Sequence, residues 1–162
     1  MSAPIVRAAT AADAPVLLDL VDALADYEKL ARPDPSARER LVRDAFGPAA
    51  RVDVLVAEAG GSAAGYALVF ETYSSFLARP TLYLEDLFVL PARRGEGHGQ
   101  RLFRAVAHEA VRRGCARVEW AVLRWNRLAI DFYDRIGGTP MEEWQHYRLD
   151  GERLAAVAAR AD

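Results

Sequence analysis

Cysteine and lysine are almost absent from this sequence. Cys115 is the single cysteine in 162 residues, which excludes an intrachain disulfide and predicts a reducing, cytoplasmic location. Lys29 is the single lysine, so arginine supplies nearly all of the positive charge. The formal net charge is −2, and the longest apolar runs are far shorter than a membrane span. We therefore expect no nucleic-acid partner, no membrane association and no metal site.

What the chain does contain is typical of one globular domain spanning residues 1–162. Apolar residues make up 52% of it and charged residues 27%. The apolar patterns predict strands at Ile5–Ala8, Val52–Glu58, Ala64–Glu71, Thr81–Leu90, Arg117–Val122 and Trp144–Leu149. They also predict helices capped by Thr10 and Ser36, and further helices at Gly99–Arg113, Arg127–Ile136 and Leu154–Ala159. Antiparallel strands followed by a βαβ unit predict an α/β (mixed α+β) fold, with a mixed sheet and helices on both faces.

A glycine-rich stretch, "RRGEGHG" at residues 93–99, follows an apolar strand and precedes a helix. Unpaired N–H groups at a helix start, together with the helix dipole, bind anions such as a diphosphate. A phosphate-loop ATPase is not favoured, because Gln100 and Arg101 stand where Lys and Ser or Thr are needed. A dinucleotide-binding fingerprint needs glycine at the position of Leu102. Taken alone, the stretch is either an anion site or a plain turn between strand and helix.

Three separated motifs together resemble one family. Residues 94–99, "RGEGHG", match the Arg/Gln-x-x-Gly-x-Gly/Ala motif of the GNAT N-acetyltransferase superfamily. "YLEDLFVLP" precedes it, and "VLRWNRLAIDFYDRIGG" at residues 122–138 resembles the family's second cofactor element. With "LADYEKL", these motifs are most similar to the diamine (spermidine/spermine-type) acetyltransferase branch. The resemblance implies a central, mostly antiparallel mixed sheet flanked by helices, and a homodimer with Trp144 and Tyr147 as possible interface anchors.

The resemblance also implies acetyl-CoA as cosubstrate. Its pyrophosphate is expected on the amides of the glycine loop, and its acetyl and pantetheine groups along the central strand. Asn126 is expected to contact the pantetheine arm. The implied coenzyme-binding residues are Leu87, Phe88, Val89, Arg94, Gly95, Glu96, Gly97, His98, Gly99, Gln100 and Asn126.

The chemistry implied is attack of an amine on a thioester carbonyl. Tyr133 matches the general-acid tyrosine of the family and lies seven residues after Asn126, on the same helical face. Glu85 is the expected base, directly or through one water, because a carboxylate in an apolar strand is costly unless paired or functional. Simple alternation places Asp86 on the opposite side of the strand from Glu85. A β-bulge, which the family often has here, breaks that alternation, so Asp86 is an alternative base.

The amine site is expected to be anionic. The resemblance places the end of the first helix there, and the implied substrate-binding residues are Tyr27, Glu28, Glu85 and Glu142. Such a groove attracts a small cationic molecule: a polyamine, a diamine or an amino-acid-like amine. Acetylation of protein amines and a non-catalytic coenzyme A-binding regulatory module are the alternatives, and the sequence does not identify the amine.

Overall fold

A computed structural model describes residues 4–160 as two units, the first ending at Ala121 and the second beginning at Val122. The first unit contains strands β1 to β5, at Ile5–Ala8, Asp53–Ala59, Ser62–Ser74, Arg79–Val89 and Arg117–Trp120. Its helices α1 to α3 lie at Ala14–Glu28, Pro35–Phe46 and His98–Arg112. The second unit contains helices α4, Arg127–Arg135, and α5, Gly151–Ala158.

The five strands form one sheet in the order in which they occur along the chain. Neighbours from β1 to β4 are antiparallel, and β4 and β5 are parallel, from Thr81 opposite Arg117 to Leu84 opposite Trp120. The connection between β4 and β5 contains α3, as a parallel pair requires. The predicted mixed, mostly antiparallel sheet is therefore confirmed.

Each face of the sheet carries its own apolar cluster. On one face, Leu102, Val106 and Ala110 of α3 pack against buried residues of β2, β3 and β4. On the other face, Leu17 and Leu20 of α1 pack against a second set of buried residues, Val54, Val56, Tyr66, Leu68 and Phe88. Alternate residues of a strand point to opposite faces, so one strand supplies both clusters. Helices on both faces confirm the predicted layering.

Local sequence signals account for most helix ends. Asp34 caps α2, because its carboxylate accepts a hydrogen bond from the N–H of Ala37 at 2.8 Å. The prediction that Ser36 is this cap was wrong by two residues, since Pro35 already lies within the first turn. Thr10, the other predicted cap, is the N-cap of a short 3-10 helix at Ala11–Asp13 that precedes α1, and its N–H donates to the Asp13 carboxylate at 2.7 Å.

The predicted strand at Trp144–Leu149 was wrong. Residues 144–149 form neither helix nor strand. A strand needs a neighbour for its main-chain groups, and residues 122–160 contain no strand with which this segment could pair. The short C-terminal helix is confirmed as α5, although it begins three residues before the predicted Leu154. Among the residues that the structure describes, no helix is both long and apolar enough to cross a membrane.

Candidate active site

A β-bulge interrupts β4 at the predicted catalytic position. Leu84 pairs with Val69 of β3, and Asp86 pairs with the preceding residue, Leu68, so Glu85 is an extra residue without a cross-strand partner. The packing shows the same one-residue shift. Leu84 packs into the α3-side cluster, and so does Leu87, three residues later. The sequence alone did not decide whether β4 contains a bulge, and the structure has one. Side chains therefore do not simply alternate between the two faces at Glu85 and Asp86.

The segment after the bulge has one unpaired edge. The β4–β5 ladder ends at the pair formed by Leu84 and Trp120, whereas β4 continues to Val89. Within residues 4–160, the only strand that pairs with residues 86–89 is β3. The other edge of this segment therefore presents main-chain N–H and C=O groups, to which an extended ligand that contains amides can bind as a further strand does.

The glycine loop leads from this edge into α3. Gly95 and Gly97 have φ angles of 83° and 80°, a region that favours glycine because it has no Cβ. The Arg101 N–H donates to the Gly97 carbonyl at 3.1 Å, which closes the first helical turn. The N–H groups before Arg101 precede that turn and have no acceptor within the helix. The loop and the helix start thus form an anion-binding arrangement.

Glu96 is at the centre of the side-chain contacts that hold the loop. Its carboxylate accepts from the Arg93 guanidinium at 3.1 Å and lies 2.9 Å from Nε2 of the buried His98. The hydrogen bond from Arg93, followed by that from His98, lowers the pKa of Glu96. The Glu96 carbonyl accepts from Arg101 at 2.7 Å. These contacts hold the loop in one conformation, which reduces the entropy lost when an anion binds.

A partly buried carboxylate lies directly after the bulge. Oδ2 of Asp86 accepts a hydrogen bond of 2.9 Å from the hydroxyl of Tyr66, a fully buried residue of β3. The pKa of Asp86 is raised to about 6: burial has the largest effect, the Tyr66 hydrogen bond lowers the pKa, and the negative charges of Glu85 and Glu28 raise it. Burial, followed by the charge of Asp86, raises the pKa of Tyr66 well above its usual value. Asp86 therefore titrates close to neutral pH.

The end of α1 adds to this negative charge. Burial raises the pKa of Glu28, the last residue of the helix, and its charge acts on both Asp86 and Tyr66. Glu85 is exposed at the bulge and acts on the same two groups. The charges of Glu28 and Glu85 therefore both act on Asp86. We call these three residues the acidic cluster. Carboxylates so close to one another favour a cationic ligand, because like charges otherwise repel.

Comparison with known proteins identifies the family. The model of the acetyltransferase (GNAT) family matches residues 17–138. The chain belongs to the acetyltransferase (GNAT) family. The sequence resemblance is therefore confirmed, and the protein is an acyltransferase of the N-acetyltransferase type.

Individual relatives of this acetyltransferase are similar over much of the chain. The thialysine N-epsilon-acetyltransferase of Sus scrofa is 34% identical over 171 residues, covering 99% of this chain and 100% of that protein. The L-ornithine N5-acetyltransferase of Arabidopsis thaliana is 42% identical over 115 residues, covering 71% of this chain and 47% of that protein. Thialysine and ornithine each carry two amino groups, in agreement with the diamine branch. An integron cassette protein of V. cholerae has the same fold, with a TM-score of 0.81 at 23% identity over 99% of this chain and 100% of that one.

Acetyl-CoA is the acetyl donor of this acetyltransferase, and the residues present suit it. The loop amides and the dipole of α3 suit a diphosphate, and the free edge of β4 suits the amide-containing pantetheine arm. A Cβ at Gly97 would lie 3.1 Å from a guanidinium nitrogen at the flexible end of Arg101, whereas a Cβ at Gly95 would meet no atom within 4 Å. When bound, the cosubstrate supplies the thioester carbonyl that the amine attacks.

The second unit of the acetyltransferase holds three of the predicted site residues. Asn126 is the N-cap of α4, and its side-chain oxygen accepts from the Ala129 N–H at 3.2 Å. Tyr133 lies on α4 with its ring edge-on to that of Phe132, at a centroid distance of 5.3 Å. Glu142 is exposed in a segment without helix or strand. Within the first unit, the charges of Glu28 and Glu85 both act on Asp86.

Sequence reasoning missed Tyr66 in the acetyltransferase. Its hydroxyl is the hydrogen-bond partner of Asp86, but it lies 20 residues away, and its neighbours within residues 62–70 of β3 are apolar or small. A tyrosine in such a strand is typical of a core residue, and only the register of β3 against β4 places it beside Asp86. The one indication of its role is that the hydroxyl of a buried tyrosine needs a hydrogen-bond partner.

Proposed function

We propose that the protein transfers an acetyl group from acetyl-CoA to a primary amine of a small cationic molecule, by direct attack in a ternary complex. The observation that carries this proposal is the acidic cluster next to the unpaired edge of β4. Polyamines, diamines and amino-acid-like amines are the candidate acceptors, and the names of the thialysine and ornithine relatives support the last group.

Glu85 is our proposed base, in direct contact with the amine or through one water. A primary alkylamine has a pKa near ~10, so it must lose a proton before it can attack. Its nitrogen then forms a bond to the thioester carbon and loses its second proton, while the C–S bond breaks with the electron pair going to sulfur, which takes up one proton. Asp86 remains the alternative base, because a carboxylate with a pKa near 6 is closer to neutral pH. Tyr27, Glu28 and Glu142 are the other proposed contacts of the amine.

The coenzyme contacts are proposed from the same geometry. Leu87 and Val89 offer main chain at the free edge of β4, Phe88 is the proposed contact between them, and residues 94–100 offer the loop amides. The Val89 N–H is the proposed donor to the thioester oxygen, whose negative charge grows as the amine attacks. Asn126 is the proposed contact of the pantetheine arm, and Tyr133 is the proposed donor of a proton to the leaving thiolate.

The reaction is tested by a screen of amines at fixed acetyl-CoA, with thiol release as the readout. We expect turnover with small amines that carry a second positive charge, because only they exploit the acidic cluster. Thialysine, ornithine, putrescine and spermidine form the test set. Butylamine matches putrescine in chain length without the second charge. Equal turnover with butylamine and putrescine, or coenzyme A binding without thiol release from any amine, would contradict the proposal.

Replacing Tyr133 with phenylalanine is expected to lower kcat about ten- to a hundredfold, at the low end of general acid catalysis. The effect is limited because an alkyl thiol has a pKa near ~8.5 and so leaves readily as the thiolate. The Kd of coenzyme A, measured by calorimetry, should stay within about twofold, since only a hydroxyl is removed. Phe132→Leu, on the same helix, is the control for altered packing. An unchanged kcat in Tyr133→Phe would remove this residue from the mechanism.

Assembly and location are proposals as well. We propose that the whole chain acts as a single acetyltransferase domain, that it forms a homodimer, and that it acts in the cytoplasm. The exposed aromatic rings of Trp144 and Tyr147 support a role for the second unit in the dimer interface, since such rings are enriched at interfaces. Sedimentation of the wild type and of Trp144→Ser tests this, and a monomeric wild type at micromolar concentration would overturn it.

A further inference from the structure

The side chain of Arg94, the first residue of the glycine motif, turns back toward the body of the first unit. Its Nε donates a hydrogen bond of 3.1 Å to the main-chain carbonyl of Val89. Its guanidinium carbon lies 4.5 Å from the centroid of the Tyr27 ring and 5.8 Å from that of Phe88. Arg94 thus joins the loop, the end of β4 and the end of α1 through one side chain.

These contacts suit arginine in particular. The planar guanidinium can stack on an aromatic face while its Nε still donates in the same plane, which an ammonium group cannot do. The rings of Tyr27 and Phe88 have centroids 6.2 Å apart, so both supply the aromatic surface beneath the cation. The cation is held close to the start of the loop that is proposed to bind the diphosphate.

We infer that Tyr27 is a positioning residue for the coenzyme, acting through Arg94. The tyrosine ring holds the guanidinium, and the guanidinium fixes both the Val89 carbonyl and the first residue of the loop. An aromatic residue at the end of α1 therefore sets the affinity for acetyl-CoA, beyond the contact with the amine proposed for it above. The inference rests on the proposed function only in taking the loop and the β4 edge as the coenzyme site.

Two consequences separate this role from an amine contact. Loss of the ring should weaken coenzyme A binding in the complete absence of amine, because the contact with Arg94 exists in the free protein. Loss of the ring should also have no further effect once the guanidinium is gone. Double-mutant cycles measure this dependence, since two residues that act through one contact are not additive.

The test is calorimetry of coenzyme A with Tyr27→Leu, Arg94→Met, the double variant and the wild type, without any amine present. We expect Kd to rise about five- to tenfold in Tyr27→Leu, the size of a partly buried cation–π contact. The double variant should bind like Arg94→Met alone. Tyr27→Phe keeps the ring face and should stay within about twofold of the wild type. Tyr73→Leu, an exposed tyrosine of β3, is the matched control and should bind like the wild type.

Two results with these variants would overturn the inference. The first is an unchanged coenzyme A Kd in Tyr27→Leu with a raised KM for the amine, which would make Tyr27 an amine contact alone. The second is full additivity in the double variant.

Should Tyr27→Leu fold poorly, Arg94→Lys gives a second test, because it keeps the charge but loses the Nε bond and the stacking plane. Wild-type affinity in Arg94→Lys would contradict the inference. Failure of the amine screen alone would leave these binding results unaffected, so the two proposals fail separately.

Discussion

Glu85→Gln is expected to lower kcat about a hundred- to a thousandfold, the range for removal of a general base. The reason is that the amine is protonated at neutral pH and has to lose a proton before attack. Glutamine has the same shape as glutamate but cannot accept that proton. The Kd of coenzyme A should change little, since the proposed coenzyme contacts of β4 are main-chain groups. Steady-state kinetics with saturating acetyl-CoA, together with calorimetry, measures both quantities.

Asp86→Asn is the comparison that decides between the two carboxylates. If Asp86 accepts the proton, activity in the wild type falls as pH drops through about 6, where this group becomes protonated. That decline should then be lost in Asp86→Asn, together with most of the activity at pH 7. A larger loss of kcat in Asp86→Asn than in Glu85→Gln would show that Asp86 is the base. A loss below about tenfold in both variants would exclude both carboxylates as the base.

The pH dependence of stability gives an independent measure of the ionisation of Asp86. The folded-state pKa is about 6, above the usual carboxyl value, so the folded protein holds this proton more tightly than the unfolded chain does. Ionised Asp86 therefore opposes folding, and this loss of stability develops as pH rises from about 4 to about 6. Asp86→Asn should have an equal or higher Tm than the wild type at pH 7. Functional groups can be retained although they reduce stability, so a destabilising carboxylate at neutral pH supports a functional role for Asp86.

Gly65→Ala is expected to displace the end of β4 and to raise the Kd of coenzyme A more than about tenfold. A Cβ at this position would lie 2.3 Å from the Phe88 carbonyl oxygen and 3.0 Å from the Val89 Cα. Both contacts are with main chain, so no side-chain rotation relieves them. We expect the free energy of unfolding to fall by about 1–3 kcal/mol, the usual effect of overpacking. Denaturant titration and calorimetry of coenzyme A test the two parts.

Ser62→Thr is the control for Gly65→Ala. It also adds one methyl group to β3, but at an exposed position at the start of the strand. It should change neither stability nor coenzyme binding. Wild-type affinity in Gly65→Ala would show that the position of the Val89 main chain is not critical for the coenzyme.

Elements that depend on local chemistry were predictable from the sequence. The strand at Ile5–Ala8 was predicted with its observed bounds, and Arg127 was predicted as the first residue of α4. The helix predicted at Gly99–Arg113 is α3, whose observed bounds, His98–Arg112, each lie one residue earlier. These features are set by residues within one or two turns of each other, so sequence patterns contain the necessary information.

Features that depend on a partner segment were not predictable in the same way. The bulge at Glu85 exists only in the register of β3 against β4, so the family resemblance suggested it but alternation alone did not. The contact between Tyr66 and Asp86 depends on the same register. The segment 144–149 has a strand-like sequence, but the pattern could not reveal whether a neighbouring strand was present. Likewise, nothing near Arg94 in the sequence indicated that Tyr27 lies beneath it.

The early end of the β4–β5 ladder has a consequence for how this acetyltransferase can change. Peptide groups are the same in every residue, so a coenzyme held by the main chain of residues 86–89 tolerates most side-chain replacements there. The side chains that face the acceptor can therefore vary while acetyl-CoA affinity is retained. A library randomised at Glu28, with Glu85 kept as the proposed base, is accordingly a reasonable starting point for new amine preferences, whereas randomising Gly65 is not.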